Sequence, residues 1–152
     1  MAYQKLQVGL GVNVILSDTI NIPNVSGPTQ SGTTTSTLAN NLVDTEAAFT
    51  NNLVGYIVYN TTDDTVATVT SVTDTNTLVL SADIMADAEG YTLYADDNAG
   101  CVLYVGGAGD LRVLTSSGSD ITFVGVLAGS FIPVQVKRVF DASTASSILA
   151  LW

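Results

Sequence analysis

No apolar stretch of this chain runs far before a cluster of Gly, Asn, Asp, Ser or Thr stops it, and β-branched and aromatic residues fill the stretches between. Runs of that kind form strands, because branched and aromatic side chains pack well on a pleated surface while the polar clusters reverse the chain. The pattern predicts strands over 12–22, 53–60, 66–73, 77–82, 91–95, 101–105, 111–115, 121–126, 132–140 and 148–152. Only 42–49 and 84–89 allow a helical turn, and neither carries a full capping box. Gly106-Gly107-Ala108-Gly109-Asp110 and Ser116-Ser117-Gly118-Ser119-Asp120 supply positive-φ positions and self-bonding side chains, so they read as successive hairpins. Short strands at regular spacing imply an all-β protein, a sandwich or a barrel.

Charge divides the chain in a second way. Residues 27–97 hold 10 of the 14 carboxylates and no base, so this stretch sums to −10. Residues 1–26 and 98–152 carry Asp18, Asp110, Asp120 and Asp141 against Lys5, Arg112, Lys137 and Arg138, and sum to zero. The run Gly27-Pro28-Thr29-Gln30-Ser31-Gly32, continuing through hydroxyls to Thr37, reads as a linker or lobe boundary, and Asp96-Asp97-Asn98 closes the stretch. The expectation is a neutral host domain, 1–26 plus 98–152, interrupted by an inserted acidic lobe, 27–97. The host should be a small β-sandwich or jelly-roll-like unit and the insert a small β-barrel, since strand 53–60 is apolar on both faces.

Composition removes several functions. A net charge of −10 with four bases argues against a nucleic-acid partner, whose affinity comes from neutralised phosphates. No apolar run approaches the ~20 residues that span a bilayer, and the N-terminus lacks an h-region with a cleavage site, so no membrane partner is expected. The chain has no His, which eliminates Ser-His-Asp and Cys-His catalysis and His-based metal sites. Its single Cys101 lies in an apolar strand and reads as a core residue. Catalysis would have to rest on Asp63-Asp64 and Asp96-Asp97, which sit in turn contexts, and no Asp-x-Asp-x-Asp-Gly calcium loop occurs. The expectation is therefore a non-enzyme with no catalytic residues, no cofactor and no metal.

Contact surfaces are the remaining function. Ile132, Val134 and Val136 share one face of a strand, and the alternation breaks at Lys137-Arg138, which suggests a β-bulge or the strand leaving the core. Pro133 favours an edge strand. Arg112, Lys137 and Arg138 are candidates to face acidic groups of a partner, with Phe131, Pro133, Phe140 and the C-terminal Trp152 as apolar interface residues around them. Tyr56, Tyr59, Tyr91 and Tyr94 offer a second use, as stacking platforms of a carbohydrate-binding adhesion module. Residues three apart on a strand point to opposite faces, so at most half of them line one platform.

The host stretches also carry a resemblance. Ser17-Asp18-Thr19-Ile20-Asn21-Ile22-Pro23, Gly109-Asp110-Leu111-Arg112-Val113, the segment Phe131-Ile132-Pro133-Val134-Gln135-Val136-Lys137-Arg138-Val139 and the closing Ile148-Leu149-Ala150-Leu151-Trp152 resemble a family of small virion structural proteins of tailed bacteriophages. These are capsid decoration (cement) or spike-base proteins. The resemblance implies a structural protein on the outer capsid surface of a virion, bound to the major capsid protein and to itself as a homo-oligomer, with a homotrimer expected. A tail or baseplate spike-base position is the alternative.

Overall fold

A computed structural model describes residues 9–152; Lys5, the fourth cation, lies outside the described residues. The chain is all-β, with two antiparallel six-stranded sheets and a single short 3-10 turn at Asn51–Leu53 among the described residues. It divides into two compact units, Met1–Ser26 with Asn98–Trp152, and Gly27–Asp97.

The first unit contains β1 (Gly11–Asn13), β8 (Cys101–Gly107), β9 (Gly109–Thr115), β10 (Asp120–Val126), β11 (Ser130–Val139) and β12 (Ser146–Leu151). Their order across the sheet is β1-β12-β8-β11-β9-β10. Alternation buries Cys101, Leu103, Val105, Leu111, Val113, Ile132, Val136, Ile148 and Ala150 in one core. The stretch after β1 runs as a strap from Val14, bonded to Ile148, past Ser17, bonded to Val139, to Ile22, whose N–H meets the Lys137 carbonyl at 2.8 Å. It delivers Val14, Leu16 and Ile22 to the same core. Most of the strand expected over 12–22 is thus an irregular strap, since it crosses the core instead of joining a ladder.

Two further expectations change. The glycine run 106–110 is no hairpin, because β11 lies between β8 and β9. Its glycines give passage to the segment entering β12: a Cβ on Gly109 would lie 2.4 Å from the Ala145 nitrogen, and one on Gly106 2.9 Å from the Ser147 oxygen. Nor does β11 form an edge. Pro133 is tolerated in this interior strand because the β8 ladder is interrupted between Ile132 and Val136, and a second irregularity separates Val136 from Arg138.

The second unit contains β2 (Gln30–Thr33), β3 (Asn41–Val43), β4 (Ile57–Asn60), β5 (Thr65–Asp74), β6 (Thr77–Leu80) and β7 (Gly90–Tyr94), in the order β2-β7-β4-β5-β6-β3. The chain just beyond β2 bridges back to β3 at Ser36 and Val43, so the two ends of the sheet are joined. Its core includes Leu42, Phe49, Val58, Leu78, Tyr91 and Leu93. The supposed linker is structural here: Gln30–Thr33 is a strand, and buried Thr34 donates to the Ala86 carbonyl at 2.5 Å and accepts from the Glu89 N–H. Residues 42–49 and 84–89 form no helix.

One buried carboxylate must be kept in this base-free unit. Asp44 is 4% exposed, and it accepts the Tyr91 hydroxyl at 2.7 Å and the Glu46 N–H at 2.9 Å. Those donors take the place of a cation. Burial, aided by Asp44, raises the Tyr91 hydroxyl well above the ordinary phenol range, so it remains a donor. Gly32 lets this pair form, because a Cβ there would meet Asp44 Oδ2 at 2.6 Å. Tyr91→Phe should therefore destabilise the unit by about 1–3 kcal/mol, the usual cost of stranding a buried acceptor, read by chemical denaturation.

Candidate docking surface

The odd-numbered residues of β8 turn into the core, so Val102 and Tyr104 turn to the opposite face of the sheet. Register then assigns their neighbours. Leu149 pairs with Tyr104, Leu151 with Val102, and Phe131 with Tyr104 from the other side. Leu149, Tyr104 and Phe131 therefore stand in one row across β12, β8 and β11. The Tyr104 and Phe131 rings meet edge to face with centroids 5.3 Å apart, and Phe131 remains 56% exposed. Pro133, two residues on, is also exposed on that face.

A second apolar feature adjoins it in sequence. Val124 is 80% exposed and Leu127 72%, in a segment where turn residues are ordinarily polar. The segment is held in shape by Gly125 N–H donating to Asp110 Oδ1 at 2.8 Å and by Gly129 N–H donating to the Val105 carbonyl at 2.7 Å. With Leu10, Ile121 and Phe131, these two make five of the seven exposed large hydrophobics among the described residues, and all five belong to the neutral unit. Sequence reasoning named Phe131 and Pro133 as candidates and did not name Tyr104, Val124, Leu127 or Leu149. The signal for the tip was present: Val124-Gly125-Val126-Leu127-Ala128-Gly129 has no polar side chain.

Both arginines are engaged within the chain. Arg112 forms a bidentate pair with Asp120, at 3.0 and 2.6 Å, and its guanidinium lies 4.5 Å from the centroid of the Phe140 ring. The pair holds the Asp120 carboxyl below its usual range and raises Arg112. Arg138 donates to Asn21 Oδ1 from Nε and Nη2, at 3.1 and 2.8 Å, and to the Asp18 carbonyl from Nη1 at 2.8 Å. It lies 6.0 Å from the same Phe140 ring. Lys137 is partly buried. Within the chain, the two arginines expected to face a partner's acidic groups fix the strap to β11 and the β9–β10 hairpin to itself. Trp152 is similarly held: its backbone N–H donates to the Leu10 carbonyl at 3.0 Å, its indole donates to Asn98 Oδ1 at 3.3 Å, and it packs on the core of its own unit.

The remaining candidates are weaker sites. Tyr59 and Tyr91 are buried, which removes two of the four tyrosines from any open stacking platform. Cys101 is buried, donates to the Val136 carbonyl, and has its thiol pushed up to about 12 by burial. Among the described residues no three acidic or Cys side chains gather in a metal-binding arrangement. Asp63 and Glu89 do meet. Glu89 Oε2 accepts from Ala86 N–H at 2.6 Å and from Asn60 Nδ2 at 2.8 Å, which with Asp63 holds it below its usual range. The hydrogen bond to that carboxylate, and its charge, raise Asp63.

Comparison of the chain with family models, curated proteins and solved structures finds no match.

Two predictions follow from these contacts. Arg138→Ala should release the strap at Asp18 and Asn21 and lower unfolding stability by about 1–3 kcal/mol, the range for hydrogen bonds to a charged group. Protection of the Ile22 amide in hydrogen exchange should fall with it. A raised Asp63 contributes stability fully below its unfolded pKa and loses it as pH rises through the folded value, after which two carboxylates repel. Asp63→Asn keeps the donor at every pH, so its melting temperature should exceed the wild type at pH 7 and converge with it near pH 3.

Proposed function

We propose that this chain is a non-catalytic structural protein of a tailed-phage virion that decorates the capsid shell as an oligomer, with the neutral unit making the contacts and the acidic unit in solvent. One observation carries the reading: the charge boundary and the structural boundary coincide, and five of the seven exposed large hydrophobics among the described residues fall on the uncharged side of it. A unit with zero net charge and an apolar sheet face can approach a protein surface at small electrostatic cost. A unit of −10 repels its own copies and remains hydrated. Repeated on a symmetric shell, modest contacts sum through multivalency. The segments that resemble decoration and spike-base proteins lie in the neutral unit, which agrees with that division of roles.

The test is the virion of the phage that encodes the chain. Gradient-purified particles should contain the protein, in hundreds of copies for a shell position, whereas six to eighteen copies would move it to a tail or spike base. A chain with 27–97 replaced by a Gly-Ser linker should still bind particles, and Phe131→Asp should not. Confinement of the protein to the soluble lysate would overturn the proposal.

A further inference from the structure

Among the described residues β10 ends the sheet of the neutral unit, no strand pairs with its outer backbone edge, and most of its residues are exposed. The hydrogen bonds of β9 show which groups it presents. Arg112 N–H donates to Ser143 Oγ at 2.9 Å and its carbonyl accepts from Phe140 N–H at 3.0 Å, so the Arg112 backbone faces away from β10. Thr122 is the residue opposite Arg112. In an antiparallel ladder that makes them a non-hydrogen-bonded pair, and Thr122 must turn its own N–H and C=O to the open edge. Asp120, two residues back, does the same by alternation. Thr115 N–H, donated to the Ser119 carbonyl on the opposite side, fits the same parity.

Exposed edges are usually blunted by Lys, Pro or shortness. β10 is seven residues long, has no Lys or Pro before its irregularity between Phe123 and Val126, and exposes Ile121 and Val124. Its one ionised side chain, Asp120, is neutralised by Arg112 of the same chain. We infer that β10 is a self-association edge, pairing antiparallel with β10 of a second copy about a two-fold axis at Thr122.

The strand is complementary to itself in this register. Thr122 exchanges both backbone bonds with its counterpart, and Ile121 of each copy faces Phe123 of the other, an aromatic and β-branched pairing favoured across strands. The two Asp120 side chains lie about 14 Å apart, beyond the ~10 Å screening length at 0.1 M salt, and each has its arginine. Beyond the entropy that any association costs, the acidic units oppose the dimer electrostatically, since each copy brings a net charge of −10. Dimerisation should therefore strengthen as salt rises from on the order of 0.01 M to 0.1 M, as the screening length falls from ~30 to ~10 Å. A two-fold edge contact is separate from the three-fold contact that the resemblance implies, and it needs no virion.

The purified full-length chain tests it. Sedimentation should give a dimer, and Thr122→Cys should yield a disulfide-linked dimer under mild oxidation, because facing residues of such a pair lie within disulfide reach. Native Cys101 is buried and does not interfere. Asn13→Cys, on the opposite edge strand, should not cross-link. Thr122→Pro removes only the outward N–H, and with Ile121→Lys as a second variant it should weaken the dimer about tenfold or more while circular dichroism is retained. A wild type that stays monomeric at its solubility limit and a Thr122→Cys variant that fails to cross-link would each overturn the inference. So would an oligomer unaltered by both Thr122→Pro and Ile121→Lys.

Discussion

The neutral unit depends on β11. On one side it pairs with β8 through Ser130, Phe131 and Ile132, and on the other with β9 through Val136, Arg138 and Val139. Without it β1-β12-β8 and β9-β10 share no ladder, and the core contributed by Leu103, Val105, Leu111 and Val113 would be cut in two. The transfer from one neighbour to the other is made at the two irregularities that flank Val136, which let a single strand serve both.

Much of this was legible in the residues. The strands with strong alternation, from Thr65–Asp74 through Ser146–Leu151, lie where β-branched and aromatic residues place them, and the irregularity at Lys137-Arg138 is visible as a break in that alternation. What was not legible has physical reasons. Gln30–Thr33 has no apolar residue to mark a buried face, and its order comes from pairing with β7 and from Thr34 closing on Ala86 and Glu89. Gly106, Gly107 and Gly109 carry two possible meanings, turn or close approach, and only the path of residues 144–147 decides between them.

The apolar docking face illustrates a related limit. Leu103 and Tyr104 are equally apolar to a periodicity argument, since a strand buried on one face and waiting for a partner on the other reads as a continuous run. The ladder separates them: Leu103 pairs with Ile132 in the core, and Tyr104 pairs with Phe131 at the surface. The cations show a different limit. In a chain with four bases, an arginine near an apolar strand end suggests a partner's carboxylate. Arg138 and Arg112 each find intramolecular acceptors, and an ion pair as exposed as Arg112–Asp120 adds little to stability, because water and salt screen it. Its larger consequence is to remove the charge of Asp120 from the β10 edge.

Charge segregation then sets the terms on which the whole chain associates. A base-free unit can hold a buried carboxylate only through neutral donors, as Asp44 does with Tyr91 and the Glu46 amide. Cations would have been the stronger partners, yet placing them there would also have softened the field of the unit. Keeping all four in the neutral unit leaves one surface that tolerates close approach and one that resists it. Any association is disfavoured at the second surface, because a contact that brought two acidic units together would gather twenty negative charges with no base between them. Repulsion of this kind discriminates between faces without any attractive contact, and it weakens as salt screens it.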